Sequence, residues 1–195
     1  MWIEVIGLPG VGKTTAIENS ITYISKAHRI VKSDDSTLAQ KIYAKYLYIF
    51  RFKHQINHSK LAQKLAYRAS FRLWAQQADK IFFYDSGMLQ VVIEHLIETN
   101  FEDVDIIAPI MPHLTQAQSL VFFNDYIENI VKREYAREVR RFNLSQQDLI
   151  DRYERAHKFI ENQIVPHIAY FYVVDASKDA KAQLLNILER SKHEK

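Results

Sequence analysis

Trp2-Ile3-Glu4-Val5-Ile6-Gly7-Leu8-Pro9-Gly10-Val11-Gly12-Lys13-Thr14-Thr15 is the stretch on which the fold turns. Its apolar, β-branched start predicts a strand over residues 2–6, and a helical pattern runs from 13 to 27. Between them Gly7, Gly12, Lys13 and Thr14 satisfy the spacing G-x-x-x-x-G-K-[ST] in the strand-to-helix setting that gives this pattern its meaning. A loop so placed can turn successive backbone N–H groups onto phosphate oxygens at the positive end of a helix dipole. The cradle is expected to comprise Gly7, Leu8, Pro9, Gly10, Val11, Gly12, Lys13, Thr14 and Thr15. Lys13 would reach the β and γ phosphates of a nucleoside triphosphate, and the Thr14 hydroxyl would face Mg²⁺.

Further strands are predicted at 29–33, 80–85, 119–124 and 170–175, with helices at 37–50, 59–78, 87–99, 125–141, 145–165 and 179–191. Leu184, Leu185 and Leu188 mark the apolar side of the last helix. Strands alternating with helices predict a three-layer α/β sandwich around a five-stranded parallel sheet, one domain over 1–195. Open parallel sheets bind ligands beyond the carboxyl ends of their strands. There the third strand ends at Asp85, a carboxylate placed to hold Mg²⁺, to contact an acceptor, or to cap the helix beginning near Gly87. All four glycines fall in the first loop or at 87, where backbone must turn or approach something closely.

Asp34 and Asp35 follow the second strand, where one carboxylate could take a proton from an attacking hydroxyl or orient the acceptor and the other could cap the next helix near Ser36-Thr37. From Ser36 to Ala78 there are eight Lys or Arg and no Asp or Glu, although the net charge is only +3. Lys60, Lys64, Arg68 and Arg72 recur at four-residue spacing within that stretch, an anion-facing ridge or a solvated helical face. A second cluster, Lys132, Arg133, Arg137, Arg140 and Arg141, could neutralise charge developing on a transferring phosphoryl group. Glu134 and Glu138 are interleaved with it and could instead pair with it on the surface.

The absence of cysteine excludes disulfides and thiol chemistry. No apolar run reaches the roughly 20 residues that span a bilayer, so a cytoplasmic protein with no membrane partner is expected. His54 and His58, four apart, have one spacing that zinc sites use on a helix.

In order and spacing the chain resembles the nucleoside and nucleotide kinase group of P-loop proteins, particularly the thymidylate kinase and deoxynucleoside kinase branch. Residues 120–133 look like that branch's fourth strand and the helix leading into an arginine-bearing lid, here about 132–148. Residues 149–157 are similar to its post-lid helix, and 172–177 to its last strand and adenine-side loop. The resemblance implies ATP and Mg²⁺ as cofactors, Arg133 and Arg137 on the triphosphate, and Asp175 and Ala176 near the adenine. It further implies a small-molecule phosphoryl acceptor, a nucleoside or nucleotide, held by Asp35, Arg68, Arg72, Asp85 and Arg141. Lys13, Asp34, Asp85, Arg133 and Arg137 would act in catalysis. The sequence departs from the group at Asp85-Ser86-Gly87, which lacks the arginine that follows the third strand in both subfamilies. Alternatives are a polynucleotide end-kinase, favoured by aromatics interleaved with the cations (Tyr43, Tyr46, Tyr48, Phe50, Phe52, Tyr67), a sugar or metabolite kinase, and an ATP-driven switch. Oligomeric state, monomer or homodimer, is left undetermined by the sequence.

Overall fold

The computed structural model describes residues 2–20, 28–31, 37–56, 58–75, 81–85, 87–108, 111, 119–137 and 142–191. Its sheet has five strands, β1 (Trp2–Gly7), β2 (His28–Val31), β3 (Ile81–Asp85), β4 (Ser119–Asn124) and β5 (Tyr170–Asp175), in the order β2-β3-β1-β4-β5. Every pairing is parallel. Parallel strands need crossovers, and β1, flanked by β3 and β4, sits at the centre, where the direction of chain winding reverses. Register sets the functional edge: Val5 lies opposite Asp85, Gly7 opposite Phe123, and Asn124 opposite Asp175. The carboxyl ends of these four strands therefore form one rim.

The helices are α1 (Lys13–Ser20), α2 (Leu38–Leu47), α3 (Lys53–Gln55), α4 (Ser59–Ala75), α5 (Met88–Glu98), α6 (Val104–Ile107), α7 (Ile127–Tyr135), α8 (Gln146–Phe159) and α9 (Ala180–Ser191). A π-helical turn, Tyr48–Phe52, carries α2 into α3, so the helical path continues beyond the expected end at 50. The short α6 was not expected from the sequence. Val5, Val121 and Phe123 are fully buried in the sheet, as are Leu89, Val92 and Leu96 of α5, Leu65 of α4 and Tyr153 of α8. Leu184 and Leu188 of α9 are buried and Leu185 half-buried, as their spacing predicts. Burying each such side chain is worth about 1.5–3 kcal/mol. Among the described residues no helix is long and apolar enough to cross a membrane.

Two helix starts have defined caps. Helix α2 starts at Thr37, whose hydroxyl accepts the Gln40 N–H while Gln40 Oε1 accepts the Thr37 N–H, a closed capping box. No aspartate is needed there. Helix α5 starts after Gly87, which supplies no side-chain cap, and Glu4 Oε1 accepts the Leu89 N–H at 2.6 Å instead. That buried carboxylate also explains the glycine: a Cβ on Gly87 would lie 2.3 Å from Glu4 Cδ.

Candidate active site

The loop between β1 and α1 is held from three sides. Gln90 Oε1 on α5 accepts the Gly7 N–H at 3.0 Å, the Tyr153 hydroxyl on α8 donates to the Pro9 carbonyl at 3.0 Å, and Arg133 Nε on α7 donates to the Gly10 carbonyl at 3.0 Å. Inside the loop the Val11 N–H bonds the Leu8 carbonyl. Gly12 adopts φ +98°, a conformation L side chains rarely enter, and a Cβ there would meet no protein atom within 4 Å. The space over Gly12 is open, as a cradle for an anion requires. Lys13 is buried, its Nζ donating to the Gly7 carbonyl at 3.1 Å, while Thr14 and Thr15 are exposed on the first turn of α1.

Arg133 is fixed at both ends. Besides its bond to Gly10, its guanidinium donates to Asp125 Oδ2 at 2.5 Å. Burial alone would raise the Asp125 carboxyl, but hydrogen bonds from Arg133, Asn129 and the Tyr126 N–H hold it below its ordinary value. Arg137 pairs with Glu134 at 2.9 Å, the surface alternative foreseen for this cluster but at i,i+3. The Glu134 carboxylate is itself buried, 3.4 Å from where a Cβ on Gly10 would lie. The base of the segment expected to form a lid is closed by the Tyr135 hydroxyl donating to the Leu144 carbonyl.

On the other side of β1, Arg68 of α4 donates to the Tyr84 hydroxyl at 3.3 Å, its guanidinium also lying over the rings of Tyr67 and Tyr84. Tyr84 is fully buried and precedes Asp85 at the sheet rim, so the helix ridge reaches the functional edge through Arg68. Burial pushes the Tyr84 phenol up to about 12 despite Arg68, which keeps it protonated. Lys60 and Lys64 are exposed on the same helix.

A cavity of about 740 Å³ opens at the carboxyl ends of β4 and β5, touching Asp125, Tyr126, His157, Asp175 and Ser177 but no residue of the phosphate loop. Five carboxylates line it, those of Asp125, Glu128, Glu154, Glu161 and Asp175, against Lys158, Lys178 and His157. Asp125 belongs to both places, and through Arg133 it connects the cavity to the loop. Asp175 is pulled down to about 2 by Lys178 and Ser177, with which its carboxylate bonds, and the Ala176 N–H bonds the Asn124 carbonyl.

Thus Lys13, Gly10, Gly12 and Arg133 meet at the loop, Arg137 follows four residues after Arg133, and Arg68 of α4 reaches Tyr84 on β3. Asp34, Asp35, Arg140 and Arg141 lie outside the described residues, and of Arg72 and Asp85 only the backbone is described. Glu4, Gln90, Asp125 and Tyr153 were not foreseen. Glu4, Gln90 and Tyr153 act through partners far away in sequence, whereas Asp125 holds Arg133 only eight residues on; the polarity of Glu4 and Gln90 within apolar runs was the one hint. His58 is not paired with His54; it stacks edge-on against His95, their ring centroids 4.9 Å apart.

The fold has counterparts among solved structures. Deoxyadenosine kinase from M. mycoides with bound dATP matches at 18% identity and TM-score 0.61, covering 98% of this chain and 100% of that one. The fold is that of the P-loop kinases. Thymidylate kinase from Candida albicans matches at 20% identity and TM-score 0.59 over 100% and 93% of the two chains. Shikimate kinase from Bacteroides thetaiotaomicron matches at 12% identity and TM-score 0.56 over 98% of each. No protein-family model and no curated protein sequence matches the chain. The resemblance to the P-loop kinases near the thymidylate and deoxynucleoside kinase branch is thus carried by three-dimensional structure.

Proposed function

We propose that the chain is a kinase that transfers the γ-phosphoryl of Mg-ATP to a small-molecule acceptor, a nucleoside or nucleotide. The observation that carries this reading is the convergence of Lys13 and the doubly held Arg133 on the open glycine loop, with Arg68 set one strand away on the acceptor side of β1. A pure nucleotide-binding loop has no need of that third cation beside a strand end. The deoxyadenosine and thymidylate kinases support a nucleoside or nucleotide acceptor, and the shikimate kinase keeps a hydroxylated metabolite as the next class.

The residues fit the nucleotide. The space beside Gly12 admits a phosphate oxygen, Lys13 lies within reach of the β and γ groups, and the neutral base would occupy the cavity beside Asp175 and Ala176. Thr14 and Asp85 would hold Mg²⁺ through oxygen, and the ion would offset charge on the phosphates. In the reaction an acceptor oxygen bonds to the γ phosphorus as the bond to the β-bridging oxygen breaks, and ADP leaves. A hydroxyl acceptor passes its proton to Asp34 or Asp85, whereas a phosphate acceptor needs no base. Arg133 and Arg137 counter the charge on the transferring group, and Arg68 with Arg72, Arg141 and Asp35 positions the acceptor.

One observation favours a second reading, an end-kinase for nucleic acid. Tyr46 and Phe50 are 55% and 67% exposed, their centroids 4.6 Å apart, beside exposed Lys41, Lys45 and Arg51. Such a surface can stack bases and meet phosphates. The test is ADP release from Mg-ATP against nucleosides, nucleoside monophosphates, hydroxylated metabolites and an oligonucleotide with a free 5′-hydroxyl. Release that depends on a nucleoside or monophosphate is expected; slow hydrolysis indifferent to every acceptor would replace the kinase reading with a switch.

A further inference from the structure

Away from the phosphate loop, three metal-ligating side chains from three separate segments meet. His58 immediately precedes α4, His95 lies in the last turn of α5, and Asp103 stands in the turn before α6. A ligand atom of each lies within 4.8 Å of those of the other two. His95 Nε2 and Asp103 Oδ2 are 2.7 Å apart. We propose that His58, His95 and Asp103 form a binding site for a divalent transition-metal ion, zinc by ligand chemistry, that ties the start of α4 to the end of α5.

The turn that presents Asp103 is costly and firmly held. Helix α5 ends in a Schellman arrangement, the Phe101 N–H bonding the Leu96 carbonyl and the Asn100 N–H the Ile97 carbonyl. Asn100 at φ 55° is a tolerated occupant of its left-handed position, but Phe101 continues there at φ 66°. Two successive non-glycine residues in that region are strained, which persists only where the surroundings enforce it. Here α8 enforces it. Arg152 donates to the Ile97 and Glu98 carbonyls, and Arg155 donates to the Asn100 carbonyl and side chain while lying over the Phe101 ring. The doubled-back turn brings Asp103 onto His95, so two ligands are set in place before any ion arrives.

The donor set has the right chemistry. Two imidazoles and a carboxylate with one open position is a common zinc set, with bonds of about 2.0–2.2 Å. Tetrahedral bonds of that length put ligand atoms roughly 3.3 Å apart, so the His95–Asp103 pair opens slightly and His58 swings in. His58 is exposed, which gives the ion a route from solvent, while His95 is buried and shielded from competing ligands. The phosphate loop and the proposed kinase reaction use none of these three residues, and this site stands or falls independently of them.

The test is equilibrium dialysis and thermal denaturation of the EDTA-stripped full chain against Zn²⁺, with no nucleotide present because triphosphates chelate zinc. Cobalt absorption then reports the coordination geometry. One Zn²⁺ per chain is expected, with a Tm rise of about 5 °C at a hundredfold excess over Kd and the intense visible bands of tetrahedral cobalt. His58→Ala, an exposed change, should weaken binding at least tenfold and leave the metal-free Tm unchanged. Asp103→Asn, which keeps a hydrogen-bonding group beside His95, should weaken it similarly. The site is overturned if the wild type shows no saturable binding, since the three groups are then a hydrogen-bonded clasp only. It is equally overturned if both variants bind Zn²⁺ as the wild type does.

Discussion

Glu4 on the central strand accepts the Leu89 N–H at 2.6 Å, joining β1 to the first turn of α5 across 85 positions of sequence. A buried carboxylate thereby caps α5. It also fills the space that a side chain at 87 would need. Gly87→Ala should therefore cost about 1–3 kcal/mol by forcing the carboxylate aside. In a Glu4→Ala background the same change should cost far less, since nothing remains to collide with. Urea denaturation of the four-member cycle measures this. A coupling of at least about 0.5 kcal/mol is expected, and additivity would mean that the two residues do not share the space.

Lys13→Ala removes an ammonium whose bond in the structure is to the Gly7 carbonyl. Because that end of the loop is also held by Gln90, the fold should survive with a Tm close to wild type. Phosphoryl transfer, if the proposed reaction is right, should fall on the order of 10²–10³, the effect of removing one positioned charge from a developing oxyanion. Steady-state ADP release checks it alongside ATP titration. Unchanged binding and turnover would remove the basis for reading the loop as a phosphate cradle.

Four of the five strands were legible because each is a short apolar run ended by a residue that stops it: Gly7, Asp85, Asn124-Asp125 and Asp175. The structure ends those four within a residue of the expected places, and β2, expected over 29–33, is described over His28–Val31. The loop was legible because its chemistry is written in contiguous residues. What holds the loop was not, since Gln90, Arg133 and Tyr153 contact it from positions 83, 123 and 144 residues away. Arg133 was found by charge, but its anchor Asp125 was hidden behind the strand end. The Asn100-Phe101 turn was invisible for a different reason: tertiary contacts from Arg152 and Arg155 override the local preferences of both residues.

Asp125 makes one contribution to stability depend on pH. Its carboxyl is held below the ordinary value of 3.8, so its folded form favours the charged state. A carboxyl depressed in this way adds stability above the unfolded value, and that addition is lost as pH falls below about 3.8 through the folded value. Arg133→Met should remove the largest of the contacts that lower it, leaving Asn129 and the Tyr126 N–H, and reduce stability at neutral pH by about 1 kcal/mol, discounted because the arginine side chain is 43% exposed. It should also flatten the acid limb of the stability curve. Arg137→Met, whose pair with Glu134 is similarly exposed at the arginine end but lacks a bond to the loop, should change stability by less than about 0.5 kcal/mol. Guanidinium melts between pH 3 and 7 distinguish the two, and an equal loss from both would mean that the Asp125–Arg133 pair does not anchor the loop.

Arg68 and Tyr84 test the other side of the site. The Tyr84 phenol, pushed up to about 12, is protonated at every pH at which the protein would be assayed, so it accepts from Arg68 as a neutral hydroxyl. Tyr84→Phe keeps the ring beneath the guanidinium and removes only that acceptor. Arg68 should then lose its fixed direction but not its charge. If Arg68 positions the acceptor, Tyr84→Phe should raise the acceptor KM several-fold with little change in kcat, and Arg68→Ala should raise it by tenfold or more. In both variants the KM for ATP should stay at the wild-type value, because the proposed triphosphate contacts, Lys13 and Arg133, lie across β1 from Arg68. Activity should also show no new ionisation between pH 6 and 9, since a phenol pushed up to about 12 stays protonated there. A parallel rise in both KM values would instead assign Arg68 to the stability of the sheet edge, acting on the whole rim rather than on one substrate.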